Sequence, residues 1–159
     1  HLEDKARFER ELRIRQQQET LKTKSFKALK GQLPWPADGR IISKFGRQWN
    51  SKLKTTTENP GIDIKGKPGS SIRTVLGGVV TTITYIRGYG TTIIVDHGGG
   101  FYTVYSHVTN IQTNVDSQVR NGDVIAYMGD SGSINGSKLH FEIWGKGQKL
   151  DPEKWLRKR

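Results

Sequence analysis

From residue 31 onward the chain is written in short β-branched runs cut by glycine: "RIISKFG", "GIDIKG", "GGVVTTITYI", "GTTIIVDHG", "FYTVYSHV" and "DVIAYMG". Val, Ile, Thr and Tyr suit the pleated, half-buried surface of a sheet, and the Gly, Asn and Asp between runs supply turns. Runs this short and this regularly punctuated predict a mainly β domain, an antiparallel sandwich or barrel-like sheet, with little helix after residue 31. With 19 glycines and 33% hydrophobic residues in 159, the composition favours such a turn-rich domain over a helical bundle. The length suffices for one ordinary domain with a core plus an appendage.

Residues 1–30 are of a different kind. They contain neither Gly nor Pro, and "DKARFERELRIRQQQETLKTKSFKALK" is dominated by Glu, Arg, Lys, Gln and Leu, so a helix is predicted. Phe8 and Leu12 keep i,i+4 spacing, but Leu2, Phe8, Leu12, Ile14, Leu21, Phe26 and Leu29 do not fall on one heptad seam. The segment reads as the end of a longer coiled coil or a linker helix, with too weak an apolar stripe to be an essential core element. The alternative is a solvated basic tail. "GQLPWPADGR", with two prolines and two glycines, ends the helix and divides a helical segment, 1–30, from a β domain, 31–159.

The formal charge of +11 implies attraction to polyanions, whether nucleic acid, anionic lipid or acidic envelope polymers. No nucleic-acid motif accompanies it, so direct DNA binding ranks last. The absence of cysteine excludes disulfides and thiolate metal sites. No run of about 18 apolar residues occurs, and the opening His1-Leu2-Glu3-Asp4 is no signal peptide. The chain is therefore expected to be an excised soluble piece whose targeting segment lies outside it.

Four side chains could carry chemistry: Asp63 in "ENPGIDIKG", His97 in "VDHGGG", His107 in "VYSHV" and His140 in "KLHFE". Taken singly, each is explained as well by a hydrogen-bonded acid or a structural histidine. The stretch "GSKLHFEIW" adds a constraint, because residues 138 and 140 of a strand project from one face while Leu139 and Phe141 project from the other. A lysine thus stands beside a histidine where a metal enzyme would use a second imidazole.

Taken in order, "WPADGRIISKFG", "NPGIDIKGKPGSSIRTVLGGVV", "GYGTTIIVDHGGGFYTVYSHV", "VDSQVRNGDVIAYMGDSG" and "SKLHFEIW" resemble the LytM or lysostaphin-like zinc endopeptidase family, over residues 33–156. The resemblance implies the duplicated-hybrid-motif β fold and, in the usual family member, cleavage of a peptide bond in the peptidoglycan cross-link. In that family a His-x-x-x-Asp motif and the second His of His-x-His bind zinc. A histidine following a tyrosine and the first His of His-x-His support the zinc-activated water and the transition state. By the resemblance Asp63 and His140 fall on metal-ligand positions, and His107, in "YSH", on a catalytic position. Asn59 stands where the first zinc ligand is expected, and Lys138 where the first His of His-x-His is expected. His97 matches no ligand and is assigned a structural role.

Both departures bear on zinc. A catalytic zinc ion holds three protein ligands plus water, and an asparagine amide is a neutral, weak donor. A protonated Lys138 at ~5 Å from a divalent ion would repel it by about 6 kcal/mol at an effective dielectric of ~20. No cofactor is therefore expected. Zinc enters only if a substitute ligand such as Glu58, or a lysine turned to solvent, rescues the site.

The pattern is similar to that of degenerate LytM factors of the EnvC-like group, in which a coiled coil precedes a LytM domain that activates peptidoglycan amidases during cell division. The ending "GQKLDPEKWLRKR" fits the same group. The leading expectation is a noncatalytic regulator of cell-wall hydrolysis in the periplasm or extracytoplasmic envelope. Its groove, around Asn59, Asp63, His107, Lys138 and His140, would bind an N-acetylmuramoyl-L-alanine amidase. Peptidoglycan, and a membrane division complex reached through the upstream coiled coil, are further partners the resemblance admits. The alternatives are an active zinc endopeptidase with altered ligands and a peptidoglycan-binding module using aromatics such as Trp49, Tyr89 or Trp144. Trp35 and Trp144 are expected instead in the core.

Overall fold

The computed structural model describes residues 2–134 and 136–159, with the backbone alone at residues 2 and 15–25. His1 and the side chains of Leu2 and Leu21 thus lie outside the described residues. Helix α1 spans Leu2–Ala28, and Phe8, Leu12 and Ile14 on it are exposed. It ends ahead of Gly31, whose φ of +81° is a left-handed conformation that glycine adopts without steric cost. The Gly31 N–H donates to the carbonyl of Trp155 at 2.9 Å, tying the exit of the helix to the C-terminus.

The last turns of α1 depart from expectation. Phe26 is fully buried, with its ring centroid 4.8 Å from that of Phe101, 5.4 Å from Trp155 and 5.0 Å from His97. One aromatic at the helix end carries enough apolar surface to join the core, even though the stripe upstream of it is weak. Secondary structure changes near Gly31, but packing crosses that point.

Among the described residues thirteen strands follow: β1 (Arg40–Ser43), β2 (Gly46–Asn50), β3 (Thr55–Asn59), β4 (Ile62–Lys65), β5 (Ser71–Arg73), β6 (Gly78–Ile86), β7 (Gly90–Gly98), β8 (Phe101–Ser106), β9 (Val108–Thr109), β10 (Gln118–Val119), β11 (Val124–Met128), β12 (Lys138–Gly145) and β13 (Gln148–Leu150). Helix returns only at α2 (Pro152–Trp155), which Asp151 caps by accepting from the Glu153 N–H and which has Pro at its first position. Eight strands form one sheet in the order β1-β4-β12-β8-β7-β6-β10, with β13 also paired to β12. A three-stranded sheet, β5-β11-β9, and the ribbon β2-β3 complete the architecture. Every strand pairing within these sheets is antiparallel, as the short runs predicted.

The period of two sorts each central strand. On β12, Leu139, Phe141 and Ile143 are fully buried in the apolar core, and on β4, Ile62 and Ile64 join them. Ile72, Ile125 and Met128 of the smaller sheet belong to the same cluster, so the core lies between the two sheets. The alternate face of β12 carries Lys138, His140, Glu142 and Trp144, and that of β4 carries Asp63. Trp35 packs against the core as expected. Trp144 does not: it stands on the other face of β12 and donates from Nε1 to Glu142 Oε1 at 2.8 Å.

His97 has the structural role assigned to it. It is buried, with Nδ1 2.9 Å from the carbonyl of Gly77 and Nε2 2.7 Å from Thr103 Oγ1. No helix among the described residues is long and apolar enough to cross a membrane.

Candidate functional site

The face of β12 turned away from the core meets β4 on one side and β8 on the other. The register sets His140 opposite Asp63 and also opposite Ser106. Strand pairing therefore brings together residues 63, 106 and 140, which are far apart in sequence. A cleft of about 350 Å³ opens above them, and Asn59, Asp63, Tyr89, His107, Lys138 and His140 are among its lining residues.

On the cleft floor His140 Nδ1 lies 2.6 Å from Asp63 Oδ1, and Nε2 lies 2.7 Å from Glu142 Oε2. An ionised carboxylate only accepts hydrogen bonds, so with both acids ionised both ring nitrogens of His140 carry protons. Burial alone would lower its pKa, but the bonds to Asp63 and Glu142 outweigh burial and hold it above the ordinary value of 6.5. Burial conversely pushes Asp63 up, yet His140 and then Lys138 bring it below its ordinary 3.8. Glu142 is also held low, because His140 and Trp144 overcome its burial.

Lys138 does not swing into solvent. Its Nζ donates to Asp63 Oδ2 at 3.2 Å, and the residue is only 8% exposed. Along this face the charges thus alternate: Lys138, Asp63, His140, Glu142. Asn59 lies in the same cleft, but its side chain is committed elsewhere. Nδ2 donates to Ser43 Oγ at 2.8 Å, and Oδ1 accepts from the Gly61 N–H at 3.0 Å, an Asx turn that joins β3 to β4.

His107 closes the opposite wall. It has a positive φ of 64°, uncommon for a residue with a side chain, and this turn ends β8. Its Nδ1 donates to the carbonyl of Ser131 at 2.7 Å. Burial, above all, depresses its pKa, so at neutral pH the ring is neutral with the lone pair on Nε2. Ser131 reaches this position because Gly90, at φ +70°, has no side chain: a Cβ there would lie 2.0 Å from the Ser131 carbonyl oxygen. Tyr89 completes the wall, with its ring centroid 4.9 Å from His140 and 6.5 Å from His107. It is half-buried rather than an exposed aromatic, and burial, followed by Glu142 and Asp63, raises its pKa and keeps the phenol protonated.

All five residues expected at the groove line the one cleft. Sequence reasoning missed Glu142, although continuing the alternation from Lys138 through His140 would have placed it on the same face. This donor set does not fit a catalytic zinc ion. Both oxygens of Asp63 are engaged, both nitrogens of His140 face acids, and an ammonium lies on the carboxylate that a metal would need. Among the described residues no group of three or more His, Cys, Asp or Glu side chains is arranged to hold a metal ion.

The model of peptidase family M23 matches residues 57–152. The chain is 33% identical over 129 residues to the murein hydrolase activator EnvC of Escherichia coli, covering 81% of this chain and 30% of that protein. It is 35% identical over 126 residues to the murein hydrolase activator NlpD of the same species, covering 79% and 31%. The chain thus spans about a third of the length of these curated relatives. In fold it is similar to a zinc-containing peptidase from Vibrio cholerae, with a TM-score of 0.71 at 22% identity, over 81% of this chain and 41% of that one.

Proposed function

The chain belongs to peptidase family M23, and from a family cleft whose floor carries a lysine ion-paired to the aspartate, we propose that it regulates cell-wall hydrolysis without catalysing it. On this reading the domain binds and activates a peptidoglycan amidase in the extracytoplasmic envelope, and the former substrate cleft is the docking site. The observation that carries it is the Lys138 to Asp63 ion pair, which opposes the binding of a catalytic metal. The murein hydrolase activators to which the chain is similar support the same conclusion.

The surroundings of the cleft suit a protein partner. Large aromatic side chains are exposed close in sequence to lining residues: Trp49 (64%) follows Gln48, and Tyr85 (66%) precedes Gly88 and Tyr89. Exposed aromatics around a polar, charged centre are typical anchors of a protein interface.

The test is dye release from labelled peptidoglycan with this protein alone, a matching envelope amidase alone, and both together. Stimulation of the amidase, with no release by this protein alone, is expected. Release by this protein alone that a chelator abolishes would establish instead a zinc endopeptidase with altered ligands.

A further inference from the structure

The cleft floor poses a charge problem. Asp63 and Glu142 flank one imidazole, Glu142 is buried, and Asp63 has a side chain only 15% exposed. An ionised carboxylate withdrawn from water carries a large desolvation cost unless it is paired. His140 reaches Asp63 through Oδ1 and Glu142 through Oε2, which leaves Asp63 Oδ2 to a further donor. Lys149 approaches Glu142 at 3.7 Å, but its side chain is 54% exposed. Lys138 is the cation built into the floor: its side chain is 10% exposed, and Nζ takes Asp63 Oδ2, the oxygen that His140 leaves open.

The backbone of Lys138 is held as firmly as its head group. Its N–H donates to the carbonyl of Gly129 at 3.1 Å, and β12 pairs it with Lys65 of β4. The ammonium is thus delivered to Asp63 from a fixed strand position. Each acid of the floor thus has a partner, Asp63 in Lys138 and His140, and Glu142 in His140.

We propose that Lys138 is a built-in replacement for a divalent cation: its ammonium holds Asp63 against His140 and sets the cleft floor without any bound ion. The inference concerns the floor itself and stands whether or not the partner is an amidase. It has a consequence no purely lost site would show. Deleting the ammonium leaves Asp63 Oδ2 without its partner in a largely buried setting, and a divalent ion added from solution should then supply the missing charge.

The experiment is thermal unfolding with chelator and with zinc, on the wild-type protein, Lys138→Arg, Lys138→Ala and Lys138→Ala with Asp63→Asn. The wild type and Lys138→Arg should melt alike under both conditions. Lys138→Ala should melt about 10 °C lower in chelator, as expected for a buried charge left without its partner. Zinc should raise its midpoint, and Asp63→Asn should remove that response. If Lys138→Ala folds only with zinc, the same conclusion holds; if it folds under neither condition, Lys138→Gln takes its place in the same comparison. An unchanged midpoint on neutralising Lys138, a neutralised variant indifferent to zinc, or a wild type stabilised by zinc as much as the variant would each overturn the proposal.

Discussion

Lys138 Nζ and Asp63 Oδ2 are 3.2 Å apart across the β4–β12 ladder, 75 residues apart in sequence, and the pair lies largely out of solvent. Charge at position 138 is therefore a matter of stability. Lys138→Glu would set a third carboxylate against Asp63 and Glu142, and should cost about 3–5 kcal/mol. Urea unfolding measures it; a cost below about 1 kcal/mol would show that Asp63 does not depend on this partner.

Rebuilding the ligand set separates metal binding from hydrolysis. Asn59→His with Lys138→His removes the ammonium and restores two imidazoles to a cleft that already holds Asp63 and His140. Zinc affinity should rise at least tenfold by calorimetric titration, and should return before any peptidoglycan cleavage does, because placing ligands need not rebuild the geometry that positions a water. No gain in affinity would mean that position 59 is not a ligand position in this chain.

The ionic floor makes stability depend on pH in a definite direction. His140 is held above its ordinary 6.5, so its contribution is complete below that value and is lost as pH rises through the folded-state pKa. Asp63 and Glu142 are held below 3.8 and 4.5, so theirs is present above those values and is lost as pH falls through the lower folded-state pKa values. The floor stabilises most between 4.5 and 6.5. His107, held neutral by burial, opposes this by favouring the folded state above 6.5. Subtracting the Glu142→Gln profile isolates the floor: the stability gap between wild type and variant should be larger near pH 6 than near pH 9. A gap that stays constant while NMR shows His140 titrating would exclude its pairing with Glu142.

Phe26 ties the helix to the domain. Phe26→Ala should lower stability by about 3–5 kcal/mol, the usual cost of emptying a core aromatic site. Removing residues 1–14, whose side chains from 3 onward are exposed, should leave the melting midpoint nearly unchanged, whereas removing 1–30 takes Phe26 and should lower it. Equal midpoints for the two truncations would show that the Phe26 contacts with Phe101 and Trp155 carry no net energy.

Trp49 tests partner binding without touching the ionic floor. It is 64% exposed on the β2–β3 ribbon, so Trp49→Ala should change stability by no more than about 0.5 kcal/mol. Loss of an interface anchor commonly costs about 2 kcal/mol or more, so half-maximal activation of the amidase should need roughly thirtyfold more protein. Undiminished activation would place the partner away from this ribbon.

The amino-acid sequence by itself determined the local periods. Short β-branched runs and glycine turns specify antiparallel strands, a Gly-free and Pro-free stretch specifies α1, and the alternation in "KLHFEIW" places Lys138 and His140 on one face. These are nearest-neighbour properties of the backbone, legible without knowing what lies opposite. Only the tertiary structure decided what each face meets. Pairing of β4 with β12 gave Lys138 an acid 75 residues away, and the same alternation continued to Glu142, whose buried setting makes it the second acid of the floor. Three-dimensional packing also drew Phe26 into the core, although the helix carries only a weak apolar stripe, and left Trp144 outside it, although its apolar ring suggested burial there. Burial and pairing are fixed by contacts between distant segments, and it is their balance, rather than residue type, that sets the charge and availability of a side chain in a cleft.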